Sequence, residues 1–112
     1  MNEQELAERC TVLAAEARVR LLRLLGKKAL RCGDPAACDL SERCCTVAEL
    51  AQGAGVSVPT ASHHLKELRR AGLVRLQRRG RHAYYALHAD GLRALAAALE
   101  GLAAPAAQSE EA

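Results

Sequence analysis

Apolar residues follow one another at helical spacing along most of the chain and at alternating spacing in one short stretch. The helical spacing runs over about residues 3–14, 16–30 and 91–103, and over a pair of short helices within residues 46–72. Alternation replaces it over residues 73–88. The pattern predicts a mainly α-helical domain with one β-hairpin. Its most leucine-rich helix, the second, is expected to lie at the centre of the core.

Residues 46–72 predict two short helices joined by a tight turn. Thr46 stands three residues before Glu49, the spacing of a capping box in which each side chain satisfies a free backbone N–H. Gly53 and Gly55 are expected to end the first helix, because glycine reaches left-handed turn angles without strain. Helix, turn and helix in this order predict a helix-turn-helix.

The second helix of this pair has one apolar and one polar face. Ser57 caps it, Pro59 falls in its first turn, where a missing N–H costs nothing, and Gly72 ends it. The helical period places on the apolar face Val58, Ala61, Leu65 and Leu68. The opposite face carries Pro59, Thr60, His63, Lys66 and Arg70, with Ser62 on its flank. Such a face suits the major groove of DNA, where hydroxyls and imidazoles reach base edges and cations meet phosphates. A plain solvated helix face is the simpler alternative.

The alternating stretch predicts a β-hairpin with a basic tip. Val74, Leu76 and Tyr84 are its expected inward positions, and Arg79 and Gly80 its expected turn. Five basic residues gather around the tip: Arg75, Arg78, Arg79, Arg81 and His82. Because a polyanion is the ligand that such a cluster favours, helix, turn, helix and basic hairpin together predict a winged helix-turn-helix that binds DNA.

Length and composition indicate one small domain. The chain has 112 residues, and we expect the domain to span residues 1–104 and the polar end, residues 105–112, to be disordered. The net charge of +3 is modest, so the clustering of arginines carries more weight than the total. No apolar run approaches the ~20 residues of a membrane span and no signal peptide is visible, so a cytoplasmic protein with no membrane partner is expected.

Cysteine is concentrated in one irregular segment, residues 31–45, which we call the cysteine segment. It holds four of the five cysteines: Cys32, Cys38, Cys44 and Cys45. The fifth, Cys10, lies on the apolar stripe of the first helix. Thiols in a cytoplasmic chain are expected to be reduced, which favours metal binding or redox sensing over structural disulfides.

Two stretches of sequence carry a family resemblance. They read LAERCTVLAAEARVRLLRLL and TVAELAQGAGVSVPTASHHLKELRRAGLVRLQRRGRHAYYAL, in which SHHLKELRRAGLV and GRHAYYAL are the most specific strings. They resemble the ArsR/SmtB family of bacterial metal-responsive repressors over about residues 6–102, apart from the cysteine segment. The resemblance implies a homodimer formed through the first and last helices, bound to double-stranded operator DNA until an inducer binds.

The same resemblance assigns roles on the second motif helix. It implies that this recognition helix begins at Ser57, and that Ser57, Thr60, Ser62 and His63 touch DNA. His64 differs, since the helical projection places it at the edge of the core, and we interpret it as structural.

The inducer sites found in members of the family are absent or altered in this chain. Where a Cys-Val-Cys often opens the first motif helix, residues 46–48 are Thr-Val-Ala. The zinc site of the last helix is also missing, because no histidine follows Asp90. What remains is the cysteine segment, with the vicinal pair Cys44 and Cys45 just before the usual cysteine position.

Vicinal thiols can both bind one small thiophilic ion, and a third thiolate completes a trigonal site suited to As(III) or Sb(III). Cys32 or Cys38 can supply that ligand from the same segment, and Cys10 can supply it from the other subunit of a dimer. We therefore expect a soft metal or metalloid inducer, with arsenite or antimonite first and Cd, Pb or Hg next.

Two other functions stay open from the sequence. The thiols can sense oxidants or sulfur species instead of metal, on the same DNA-binding fold. They can also hold a zinc ion or an Fe-S cluster that only staples an interaction module. An enzyme is not expected, because no Ser-His-Asp set, paired-carboxylate site or phosphate-cradling glycine loop is evident.

Overall fold

The computed structural model of the chain describes residues 1–31 and 45–111, and in them it shows five helices and one two-stranded antiparallel sheet. In chain order these elements are α1 (Glu3–Leu13), α2 (Glu16–Arg31), α3 (Val47–Ala54), α4 (Val58–Arg70), β1 (Val74–Arg79), β2 (His82–Leu87) and α5 (Ala89–Glu111). The predicted class, mainly α-helical with a hairpin after a helix pair, is confirmed. No helix in the described part of the chain is long and apolar enough to cross a membrane.

The core forms where α2 meets the helix pair and the hairpin. Leu21 and Leu25 of α2 are fully buried, as are Leu65 and Leu68 of α4. The cluster also includes Leu50, Leu73, Val74, Tyr85 and Leu95. The prediction that the second helix lies at the centre is confirmed, because α2 packs against both motif helices and β2.

The ends of the two motif helices follow the predicted caps. Thr46 and Glu49 form the capping box, with the Thr46 Oγ1 accepting from the Glu49 N–H at 3.3 Å. Gly55 has a φ of 71°, the left-handed conformation expected at the end of α3. Gly53 differs from the prediction. It lies inside the helix, where an added Cβ would come within 2.9 Å of a Leu24 methyl, so its small size serves packing and not termination.

One residue predicted for the core face of α4 lies outside the core. Ala61, Leu65 and Leu68 are fully buried, but Val58 is 50% exposed. Val58 is in phase with the apolar stripe, yet it is the first residue of α4. Since a side chain at the end of a helix has packing partners on one side only, helical phase alone does not bury it.

The hairpin turn comprises Gly80 and Arg81, one residue later than predicted. Arg79 pairs with His82, and the register then places Leu76 opposite Tyr85. A two-residue turn pairs even positions of one strand with odd positions of the other, and opposed residues share a face. The inward tyrosine is therefore Tyr85, which is 5% exposed, and the prediction of Tyr84 at this position is wrong.

The last helix is longer than predicted at both ends. It starts at Ala89, before Asp90, and it continues to Glu111 through the residues that we expected to be disordered. Alanine, glutamine and glutamate are strong helix formers and favour continuation of a helix already begun, although Pro105 in the same stretch lacks the backbone N–H of a helical hydrogen bond. At its start Gly91 lies so close to the end of the helix pair that an added Cβ would overlap the Gly72 carbonyl oxygen.

Candidate DNA interface and inducer site

The first turn of α4 presents the predicted short polar side chains to solvent. Ser57, Pro59, Thr60 and His63 are all exposed. The Ser57 Oγ accepts from the Thr60 N–H at 3.3 Å and donates to the Thr60 Oγ1 at 2.9 Å. These bonds fix the two hydroxyls at the positively polarised end of the helix. Ser62 is half-buried, so it is the least accessible of the predicted contacts on this helix.

Cations occupy the rest of the exposed face of α4. Lys66 and Arg70 are both exposed. The guanidinium of Arg70 donates to the Glu67 carboxylate at 3.1 Å. This pair was not predicted, although an acidic and a basic residue at i,i+3 spacing on a helix are a known signal for an ion pair. A phosphate that binds Arg70 therefore competes with a carboxylate of the same helix.

The basic residues of the hairpin divide between its two faces. Arg78 continues the face of Leu76, whereas Arg75 lies on the other face, since successive residues of a strand alternate. Arg81 lies in the exposed turn. The turn and the end of β1 thus bring together Arg78 and Arg81 at the tip, and Arg75 lies away from it. Arg79 closes the turn through its pairing with His82.

His64 occupies the position predicted for a structural residue, and its partner was not predicted. Its Nδ1 accepts a hydrogen bond from the Nε of Arg18 on α2, at 3.0 Å. Burial, followed by the charge of Arg18 and that of His63, lowers the pKa of His64 below its ordinary value of 6.5. The neutral imidazole is therefore favoured. Only the fold reveals this contact, because the two residues are 46 positions apart.

Cys45 lies at the junction of the cysteine segment, the hairpin and α3. Its side chain is 8% exposed. Its backbone N–H donates to the Tyr85 carbonyl at 2.9 Å, and its carbonyl accepts from the Tyr85 N–H at 2.8 Å. Cys45 therefore extends the hairpin sheet by one bridge, directly before the cap of α3.

A cavity of about 200 Å³ lies beside Cys45. Its lining comprises Leu24, Lys27, Lys28, Cys45, Glu49 and Leu50. The lining thus places two lysines and one carboxylate around a buried cysteine. The sulfur of Cys45 is a soft donor, which suits a soft metal or metalloid ion.

The other predicted ligands are placed differently. Cys10 is exposed on α1, and Cys32, Cys38 and Cys44 lie outside the described residues. Within residues 1–31 and 45–111 no three His, Cys, Asp or Glu side chains are grouped in a way that could hold a metal.

An exposed apolar surface runs along α5. Leu99 is 45% exposed and Leu102 is 65% exposed, while Leu95 on the same helix is buried. α5 contacts α1, whose Leu6 packs at the edge of the core. The two terminal helices thus contact each other within one chain; the dimer surface that the resemblance implies for them stays a prediction.

Comparison with known proteins agrees with this geometry. The helix-turn-helix domain family model matches residues 13–77. A crystal structure of a possible transcriptional regulator for arsenical resistance is 30% identical, covers 85% of this chain and 83% of its own, and superposes with a TM-score of 0.63. An ArsR-like transcriptional regulator from Rhodococcus sp. RHA1 is 26% identical, with 96% of this chain and 88% of that one covered and a TM-score of 0.75.

A third structure is a homodimeric winged helix-turn-helix DNA-binding domain from Mycobacterium bovis, described as a possible ArsR-family regulator. It is 26% identical, covers 91% of this chain and 80% of its own, and has a TM-score of 0.61. The family model, the helix pair with its capped recognition helix, and the basic hairpin lead to the same conclusion. The chain belongs to the ArsR family of winged helix-turn-helix transcriptional regulators, which bind DNA and are not enzymes.

Proposed function

We propose that this protein is a cytoplasmic homodimeric repressor that leaves its operator when a soft metal or metalloid binds cysteine thiolates. As(III) or Sb(III) is the preferred inducer, ahead of Cd, Pb and Hg. The observation that carries the proposal is the position of Cys45, whose backbone joins the cysteine segment to the hairpin and whose next residue caps α3.

DNA binding places α4 in the major groove and the hairpin on the flanking backbone. Hydroxyls and an imidazole at the start of α4 face the base edges. Lys66 and Arg70 on the helix, with Arg78 and Arg81 on the hairpin, contact phosphates. Exposure of all four cations supports this assignment.

Dimerisation occurs through α1 and α5. A single chain leaves Leu99 and Leu102 in solvent, and apolar surface of this kind is stabilised by burial against a second copy. The Mycobacterium bovis relative is described as homodimeric. A two-fold dimer presents two copies of α4, which bind half-sites about 34 Å apart on one side of the duplex.

A set of three thiolates suits a metalloid inducer, because As(III) and Sb(III) favour trigonal coordination by sulfur. Arsenous acid is neutral, and three thiols displace its three hydroxyls as water, so three As–S bonds form with no change of net charge at the site. The expected ligands are Cys44 and Cys45 with a third thiolate from Cys32 or Cys38, or from Cys10 of the partner subunit.

Inducer binding reaches the DNA-binding elements through two connections of Cys45. A shift of this residue displaces Tyr85 in β2, and with it the basic tip, because both backbone bonds of the bridge join them. It also displaces Thr46, the cap of α3, which packs against α4. A hundredfold loss of operator affinity requires a difference of about 3 kcal/mol between the two forms of the dimer, and arsenic–thiolate bonds can supply it.

The test uses a labelled duplex recovered by selection from a random-sequence library and read by fluorescence anisotropy. As(III), Sb(III), Cd, Pb and Hg are titrated in turn onto the complex with reduced protein. We expect release at the lowest concentration by As(III) or Sb(III), and no release by these ions from Cys44→Ser or Cys45→Ser. If both variants still release DNA as the wild type does, the assignment of the inducer site is wrong.

Cys10→Ser is the companion variant. Cys10 is exposed on α1, far along the chain from the pair. Unchanged release from Cys10→Ser places all the ligands in the cysteine segment, whereas lost release places the site across the dimer. Binding stoichiometry per dimer, measured by mass spectrometry, gives the same distinction independently.

Redox sensing is the second candidate, because cysteine thiols can also be oxidised reversibly to a disulfide. It predicts that peroxide or polysulfide releases DNA without metal and that dithiothreitol restores binding. The third candidate, a metal-stapled interaction module, predicts that the purified protein carries stoichiometric zinc or an Fe-S cluster whose removal unfolds it.

A further inference from the structure

One arginine connects three helices of this fold. The Nε of Arg18 on α2 donates to the His64 Nδ1 on α4 at 3.0 Å, and one of its terminal nitrogens donates to the Val12 carbonyl of α1 at 3.2 Å. The recognition helix is therefore tied, through one planar side chain, to the helix that we assign to the dimer surface. The other arginine of α2 with a described backbone contact, Arg20, reaches only the end of α3, at the Ala54 carbonyl.

The bond to His64 exists in only one protonation state. A neutral imidazole has one acceptor nitrogen, so a bond accepted at Nδ1 requires the proton to sit on Nε2. A protonated imidazole has two donors and a positive charge, and it cannot accept from a guanidinium. The charged and titratable groups that face His64 are Arg18 from α2 and His63 from its own helix, and both oppose its protonation.

We propose that Arg18 and His64 are a positioning pair that holds the recognition helix in its DNA-binding orientation, and that protonation of His64 releases this hold. His63, which is exposed at the DNA face, is the neighbour of His64 and lies 5.8 Å from it between ring centroids. A rotation of α4 that frees His64 therefore moves a DNA-contacting residue. This inference rests on the proposed function, since it takes α4 as the element that contacts DNA.

The expected effect of acid is a loss of operator affinity. The pKa of His64 lies below 6.5 in the free protein, and DNA binding requires its neutral form. The contribution of His64 to operator affinity is therefore fully present above that pKa and is lost as the pH drops through it. Other groups of the protein–DNA complex also respond to pH, so the wild-type profile alone does not isolate His64.

The test compares the wild type with His64→Asn at each pH from 8 to 5.5, on a duplex selected from random-sequence DNA. The Asn side-chain oxygen takes the place of Nδ1 as acceptor and does not titrate, and the other histidines contribute equally to both proteins. At pH 8 we expect the wild type and the variant to bind the duplex with affinities within about twofold of each other. At pH 5.5 the wild type should bind several-fold more weakly than the variant. Protonation of one group can change the ratio of the two affinities by at most about tenfold per pH unit.

Two further variants separate positioning from simple charge. Arg18→Gln and Arg23→Gln each remove one positive charge from α2. Arg23 is exposed and has no hydrogen bond or ion pair to α4 among the described residues. We expect Arg18→Gln to weaken DNA binding about tenfold more than Arg23→Gln and to change the pH profile. Equal losses from the two variants would refute a positioning role.

The tautomer of His64 is a readout independent of DNA. Two-bond ¹H–¹⁵N correlation spectra of the wild type at pH 7.5 should show a neutral ring with its proton on Nε2. A protonated or Nδ1–H ring, or identical pH profiles for wild type and His64→Asn, would overturn the inference while leaving DNA binding intact. Absence of DNA binding at every pH would instead refute the proposed function, and the tautomer would then still decide whether the Arg18 bond forms.

Discussion

The salt dependence of DNA binding gives the sharpest test of how the protein contacts its operator. The described exposed cations assigned to phosphates are Lys66, Arg70, Arg78 and Arg81, which makes eight in a dimer. Each neutralised phosphate contributes about −0.9 to the slope of log affinity against log salt, so a slope near −7 is expected. Between 50 and 200 mM salt the affinity should then fall about 10⁴-fold.

Arg81→Gln changes this slope by a known amount. Arg81 lies in the exposed hairpin turn and has no ion-pair partner among the described residues. The substitution removes two phosphate contacts from the dimer, so the slope should become less steep by about 2, to near −5. Because the turn is outside the core, the melting temperature should stay the same.

The assay is fluorescence anisotropy of one labelled duplex at five or more salt concentrations, with Arg23→Gln as the control. Arg23 is an exposed arginine on α2 that has no hydrogen bond or ion pair to the recognition helix or the hairpin among the described residues. Its removal should leave the slope unchanged. An unchanged slope for Arg81→Gln would refute the assignment of the hairpin to DNA, and a flat dependence in the wild type would refute the interface as a whole.

Three further substitutions have expected outcomes. Glu67→Gln removes the carboxylate that pairs with Arg70 at 3.1 Å, so DNA binding should become several-fold tighter, while the free energy of unfolding changes by less than about 1 kcal/mol because the pair is exposed. Gly91→Ala should lower the free energy of unfolding, measured by chemical denaturation, by about 1–3 kcal/mol, since the new methyl overlaps a backbone carbonyl. The control is Gly101→Ala, in open space on the same helix, which should leave that free energy unchanged or raise it. Thr46→Ala should cost about 1 kcal/mol through loss of the capping box at α3.

Features of the fold set by neighbouring residues were predictable from the sequence. The caps at Thr46 and Ser57, the left-handed Gly55 and the buried stripe of α4 all depend on contacts within one or two helical turns. Two predictions of buried positions, Val58 and Tyr84, were wrong because burial there is not determined by the local periodicity of the sequence. Val58 lies beyond the end of the core, and Tyr85 is inward because the length of the turn decides which residues of β2 share a face with Leu76.

Contacts between distant parts of the chain could not be predicted in this way. The sequence shows that Arg18 and His64 lie on helices, but their bond depends on how α2 crosses α4. The pairing of Cys45 with Tyr85 likewise joins residues 40 positions apart. The ligand set of the inducer site stays a prediction, since of the five cysteines only Cys10 and Cys45 are described.

The bridge between Cys45 and Tyr85 has a consequence for how such regulators diversify. The helix α2 ends at Arg31, and Cys45 is fixed to the sheet by two backbone hydrogen bonds and followed at once by a helix cap. Backbone bonds are indifferent to the side chains that precede them. We therefore expect the sequence between Arg31 and Cys45 to tolerate changes of length and of ligand residues without a change in the surface that recognises DNA. Grafting the corresponding segment of another sensor at residues 32–44 should transfer the inducer and retain the operator.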